Sequence, residues 1–141
     1  IQCNEGYTTK IKKTVGNNVS VCLVCNFGYY GSTTDGETGC DACPGGYSSL
    51  KGQSSCQTCY AGTWSSPGSA HCSQCLAGYF SGPSSSECIP CTAGSYSAIG
   101  QASCPLCLAG TYSLVGASVC TPCNNGDFSG PGASSCDSCS N

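Results

Sequence analysis

Hydrophobic positions along this chain show no helical spacing over the ten or more residues that a helix needs. They recur instead in a short phrase with turn residues at both ends. Cys91-Thr-Ala-Gly94-Ser-Tyr96-Ser97-Ala-Ile-Gly100-Gln-Ala-Ser-Cys104 is one copy. Cys107-Leu-Ala-Gly110-Thr-Tyr112-Ser113-Leu-Val-Gly116-Ala-Ser-Val-Cys120 is the next. Each copy predicts a short strand, a turn and a short return strand.

The phrase is framed by Cys-x-x-Cys pairs. Seven of them keep an unbroken 16-residue step, from Cys40/Cys43 through Cys56/Cys59, Cys72/Cys75, Cys88/Cys91, Cys104/Cys107 and Cys120/Cys123 to Cys136/Cys139. An eighth pair, Cys22/Cys25, lies 18 residues before the first of these, and Cys3 stands alone at the front. A fixed period marks a repeat architecture, in which each unit is expected to touch mainly its neighbours.

Two glycines punctuate each unit. The first recurs at Gly6, Gly28, Gly46, Gly62, Gly78, Gly94, Gly110 and Gly126, where positive φ or a close backbone approach is expected. The second recurs at Gly52, Gly68, Gly100, Gly116 and Gly132 and reads as a turn. Ser84 replaces it once, and there Gly82-Pro83 is expected to make the turn. About one large ring follows the first glycine: Tyr7, Tyr29 or Tyr30, Tyr47, Trp64, Tyr79 or Phe80, Tyr96, Tyr112 and Phe128. These rings are expected to pack on a neighbouring disulfide or on the next unit's glycine. A ligand-stacking platform, for carbohydrate for example, is the alternative use.

Composition sets the compartment. Seventeen cysteines in 141 residues belong to a disulfide scaffold, and disulfides persist in oxidising surroundings. The chain is therefore expected to be secreted or exposed at a cell surface. Large aliphatics are scarce and methionine is absent, so cross-links stand in for one large core. Four basic residues and a net charge of -3 offer no stripe for a phosphate backbone, which argues against nucleic-acid binding. No stretch approaches the roughly 20 apolar residues of a membrane helix. No signal peptide is visible, and a secreted chain is expected to have lost one before Ile1.

Spacing alone does not fix disulfide connectivity. The repeat favours joining the second cysteine of each motif to the first of the next: Cys3–Cys22, Cys25–Cys40, Cys43–Cys56, Cys59–Cys72, Cys75–Cys88, Cys91–Cys104, Cys107–Cys120 and Cys123–Cys136. Each closed loop then contributes about 3 kcal/mol in the chain-entropy model. Cys139 is left over. It pairs downstream in a longer chain, pairs with a second Cys139, or stays free, and the first is favoured.

The phrase Cys-x-x-Gly-x-Tyr-Ser-x-x-x-Gly-x-x-x-Cys-x-x-Cys resembles the ephrin-receptor-like cysteine-rich repeat. It also resembles the first loop of tumour-necrosis-factor-receptor modules. The resemblance runs from about Cys3 to Cys139. It implies an elongated extracellular rod with disulfides as its spine. The chain lacks the second, interlaced disulfide pair of the receptor modules.

Other chemistries fare worse. Zinc on Cys-x2-Cys-x12-Cys-x2-Cys would group motifs in twos and leave Cys3 without a role. A thioredoxin-like site lacks its βαβ context. His71 is the sole histidine and reads as a turn residue. Glu5, Asp35, Glu37, Asp41, Glu87, Asp127 and Asp137 form no matching pair across units, so no enzyme and no cofactor is expected. Loop acids such as Asp35 and Glu37 could serve calcium, but no unit shows a repeated acidic ligand set. Asn18-Val19-Ser20 is a glycosylation sequon in the long loop of the first module. Thr121 beside Pro122 is a candidate for O-glycosylation.

The expected fold is thus small, disulfide-rich and mostly β or irregular: a linear solenoid of hairpin modules, an elongated rod without a single hydrophobic core. Residues 1–42 form two longer irregular modules, 43–138 six regular 16-residue repeats, and 139–141 the start of a further module. The expected function is a non-enzymatic extracellular structural protein in a surface filament, stalk or glycocalyx, associating with itself or with neighbouring surface proteins. A ligand-binding receptor or adhesion ectodomain is the alternative, with Lys10, Lys12, Lys13 and the Asp35-Gly36-Glu37 loop as its candidate patch. A protist surface coat antigen is a third reading.

Overall fold

In the computed structural model, residues 7–14, 17–32 and 39–139 are described. Among them every regular element is a strand, in line with the helix-free periodicity. The first two strands are the long ones. β1 (Tyr7–Thr14) and β2 (Asn17–Val24) pair antiparallel over their full length, from Tyr7 opposite Val24 to Thr14 opposite Asn17. Three threonines and Ile11 in β1 and three valines in β2 are β-branched residues that suit a pleated ladder.

Further along, hairpins shrink to the minimum. β3 (Tyr29–Ser32) pairs with β4 (Gly39–Ala42), and β5 (Tyr47–Ser48) with β6 (Gln57–Thr58). β7 (Thr63–Trp64) pairs with β8 (Ser73–Gln74), and β9 (Tyr79–Phe80) with β10 (Ile89–Pro90). β11 (Thr111–Tyr112) pairs with β12 (Thr121–Pro122), and β13 (Asp127–Phe128) with β14 (Asp137–Ser138). In each two-residue pair, one strand follows the first glycine and the other is the x-x of a Cys-x-x-Cys. Between Cys91 and Cys107 only a single bridge forms, Ser95 to Leu106, because Pro105 has no N–H to give.

Two-stranded hairpins this short are not stable alone in water. Disulfides close them: Cys25–Cys40, Cys43–Cys56, Cys59–Cys72, Cys75–Cys88, Cys91–Cys104, Cys107–Cys120 and Cys123–Cys136. Their Cα atoms stand 5.6 to 5.8 Å apart, a relaxed disulfide span. Cys22 is also disulfide-bonded, while Cys3 lies outside the described residues.

The chain divides into two units. One comprises Ile1–Cys59 with Ser65–Cys72, the other Tyr60–Trp64 with Ser73–Asn141. Among the described side chains neither has an aliphatic core. The fully buried side chains are cysteines and serines, among them Cys59, Cys75, Cys91, Ser49, Ser81 and Ser97. The rings are half-buried or exposed, with Tyr29 41% and Phe128 54% exposed and Trp64, Phe80, Tyr96 and Tyr112 half-buried.

Candidate functional site

The feature most often repeated is the joint between consecutive modules, and glycine begins it. Thr111 N–H bonds back to the Leu108 carbonyl at 3.1 Å, and Gly110 sits third in that turn with φ +81°. A type II turn needs positive φ there, which glycine supplies without strain. The turn aims the glycine N–H at the next module. Gly78 donates to the Ser97 carbonyl at 2.8 Å, and Gly62, Gly94 and Gly110 donate to Ser81, Ser113 and Ser129 likewise.

The serine answers. Ser97 Oγ donates to the Tyr79 carbonyl at 2.9 Å, and Ser81, Ser113 and Ser129 reach Thr63, Ser95 and Thr111 in the same register. A third link comes from the second glycine. Gly100 donates to Cys75, Gly116 to Cys91 and Gly132 to Cys107, each at 2.8 Å. In the first unit, Ser49 and Ser65 donate to Tyr29 and Tyr47, and Gly52 and Gly68 to Cys25 and Cys43. The joints are thus closed by main-chain bonds together with one serine bond apiece. Among the described residues no buried side-chain N or O lacks a partner.

Contact does not stop at the neighbour. A methyl group built on Gly62 would overlap the carbonyl oxygen of Gly100, and one on Gly78 or Gly94 that of Gly116 or Gly132. Gly28 meets Gly68 in the same way within the first unit. The first glycine of a module therefore faces the second glycine two modules on. Modules thus also reach past their immediate neighbours, and at these glycines a carbonyl stands where a ring was one of the two expected contacts. Ser84 corrects an expectation. It takes φ +56° itself, so it adopts the turn conformation of the glycine it replaces, and Gly82-Pro83 does not substitute for it.

Other residues singled out in the sequence fall as follows. Asn18 lies on β2 opposite Lys13, so its sequon is in a strand rather than an open loop. Lys10 and Lys12 stand on β1. Glu5, Asp35 and Glu37 lie outside the described residues. Asp41, Asp127 and Asp137 stand on β4, β13 and β14. His71 lines a shallow polar groove with Ser48, Gln57 and Cys72, and no acid shares it. Cys139 is free and exposed. Among the described residues, no three His, Cys, Asp or Glu side chains gather where a metal ion would sit. Among the same residues no helix is long and apolar enough to cross a membrane.

One groove stands out in the second unit. It encloses about 270 Å³ between Trp64, Gln74, Leu76, Tyr79, Glu87 and Cys88. Trp64 is fixed along both edges of its strand, by pairing with Ser73 and by a parallel bridge to Ser85. Tyr79 is held through its own carbonyl by Ser97 Oγ. Gln74 lies against Gly100, its amide nitrogen 3.4 Å from where a methyl would stand.

Fold and joint together define a tandem array of cysteine-rich, disulfide-stapled hairpin modules. Neither the known protein-family models nor the curated protein sequences contain a match to the chain.

Proposed function

We propose that this chain is a non-enzymatic, extracellular structural protein that forms part of a surface filament, stalk or glycocalyx. The observation that carries this reading is the joint, repeated in one register from module to module and made of main-chain atoms, serine and glycine. Such a joint adds a fixed increment per module and needs no ligand. The density of disulfides supports an oxidising location. The pattern of Cys-x-x-Gly-x-Tyr-Ser followed by Cys-x-x-Cys supports kinship with ephrin-receptor-like repeats. Partners in this reading are further copies or neighbouring surface proteins, and Asn18 carries an N-linked glycan.

Electron microscopy of native, unreduced material tests the proposal, together with protease digestion before and after reduction. The expected result is regular filaments with an axial repeat, and protease resistance that vanishes when the disulfides are reduced. Dispersed particles, or resistance that survives reduction, count against it.

The β1–β2 hairpin favours a second reading, a ligand-binding receptor or adhesion ectodomain, because it breaks the 16-residue rule. Deleting residues 1–42 would then abolish binding to a cell-surface partner while the modules beyond stay folded.

A further inference from the structure

In four successive modules the residue before the first glycine is alanine: Ala61, Ala77, Ala93 and Ala109. The module that begins at Cys123 has Asn125 there instead. The joint does not ask for a carboxamide at this place, since the four alanine modules close without one. Asn125 is also the one asparagine of the chain that precedes a glycine.

Local geometry leaves that dipeptide open to reaction. Asn125 and Gly126 are both exposed, and nothing crowds the methyl position of Gly126 within 4 Å. Elsewhere the joint holds the amide of the first glycine. Gly78 N–H donates to the Ser97 carbonyl at 2.8 Å, and Gly110 N–H to that of Ser129 at 2.9 Å. Among the described residues the Gly126 N–H makes no such bond. What remains is the turn, in which Asp127 N–H donates to the Asn124 carbonyl at 3.0 Å. One exposed hydrogen bond is a weak lock.

We propose that Asn125–Gly126 is a site of self-modification, where the side chain closes on the main chain to a succinimide and reopens as aspartate or isoaspartate. The inference is independent of the structural role proposed above. Asparagine is a thermolabile side chain, and a glycine after it leaves the nucleophile unshielded. The Gly126 amide loses its proton to hydroxide, and its nitrogen attacks Asn125 Cγ. The N–Cγ bond forms as the Cγ–Nδ2 bond breaks, and Nδ2 leaves as ammonia with a proton from water. Closure swings the Asn125–Gly126 peptide plane, which the turn bond alone resists. Water then opens the ring. Breaking the N–Cγ bond leaves aspartate. Breaking the bond to the main-chain carbonyl carbon leaves isoaspartate, whose main chain runs through Cβ and Cγ. Both products change the module. A new carboxylate joins Asp127 and Asp137 in one hairpin, and no lysine or arginine stands between Lys51 and Asn141. In isoaspartate an extra methylene also enters the turn that sets Gly126, whose carbonyl holds the Cys139 N–H at 3.1 Å.

The native, disulfide-intact protein is incubated at neutral and at mildly alkaline pH, then mapped by proteolysis, mass spectrometry and isoaspartyl methyltransferase labelling. The reduced and alkylated chain serves as the open reference. Asn125 in the native protein is expected to convert at least tenfold faster than any other asparagine, and faster at the alkaline pH. Asn125→Ala copies Ala93 and Ala109, so it keeps the fold and removes both the mass change and the label from that peptide. Ala77→Asn sets the same dipeptide in a module whose glycine amide is tied to Ser97, and is expected to convert at least tenfold more slowly than Asn125. Far-ultraviolet dichroism and the disulfide count check the fold of both variants. Asp35-Gly36 can close the same ring without a mass change, so peptide maps assign the site. The proposal is overturned if Asn125 stays intact in the native protein under conditions that convert the reduced chain. It is equally overturned if another asparagine matches its rate, or if the Ala77→Asn site keeps pace with it.

Discussion

Gly94 and Gly126 hold the same place in their modules, three residues after Cys91 and Cys123, with nearly the same φ (+85° and +91°) and the same turn behind them. Their spatial surroundings differ completely. Gly94 is pressed by the main chain of Gly132, whereas nothing stands within 4 Å of the methyl position of Gly126 or Gly110. Gly94 meets two demands, conformation and close approach, and among the described residues Gly126 is held to the first. At Gly28, Gly62, Gly78 and Gly94 the module two steps on presents the carbonyl of its second glycine, and for Gly110 and Gly126 no such carbonyl lies among the described residues. Packing depends on whether a module two steps on presents its carbonyl.

The sharpest way to break this contrast is to add a methyl group at each site. Gly94→Ala combines left-handed backbone strain of about 1–2 kcal/mol with a backbone overlap that no rotamer relieves. Gly126→Ala carries the strain alone. Thermal unfolding of both variants is expected to show a loss at Gly94 at least twice that at Gly126. Equal losses would mean that the approach of Gly132 carries no weight.

A smaller effect is expected at the serines. Ser97 is wholly buried and its hydroxyl satisfies the Tyr79 carbonyl, so Ser97→Ala costs about 1–3 kcal/mol by orphaning that acceptor. Ser129 makes the equivalent bond to Thr111 at 8% exposure, and water reaches the freed carbonyl more easily. Ser129→Ala is expected to cost less in the same denaturant titration.

The smallest effect has the opposite sign. Ser84→Gly relieves positive φ at a non-glycine residue but adds freedom to the unfolded chain. Stability is expected to rise by no more than about 1 kcal/mol. A loss would mean that the Ser84 side chain has a role beyond its backbone.

These differences also mark what was legible in the sequence. The cysteine step announced hairpins of fixed length, and Cys-x-x-Gly announced a turn with positive φ, because both are decisions made within a few residues. Ser97 stood in the repeated phrase with no role assigned to it. Its burial is set by the module before it, and nothing inside its own hairpin requires a hydroxyl there. The pairing of Gly94 with Gly132 was hidden for a related reason, since the rotation from one module to the next is fixed by no single residue. Ser84 misled because Gly82-Pro83 is a good turn signal in isolation, while the joint demands one particular turn at one particular place. The groove was half visible. Trp64 and Tyr79 were noted as rings, but their convergence with Glu87 needs the bridge from Trp64 to Ser85.

The joint has a consequence for how such a chain varies. It is built from main-chain atoms, one hydroxyl and sulfur, and it excludes the bulky side chains through which most interiors recognise their own pieces. A module thus carries almost no memory of its place in the series. Sixteen-residue cassettes can be duplicated, lost or exchanged in frame while the seam re-forms around the same atoms. Residues such as Leu114, Val115 and Tyr60 on the outside, 67%, 67% and 83% exposed, are left as a free alphabet for whatever the surface has to meet.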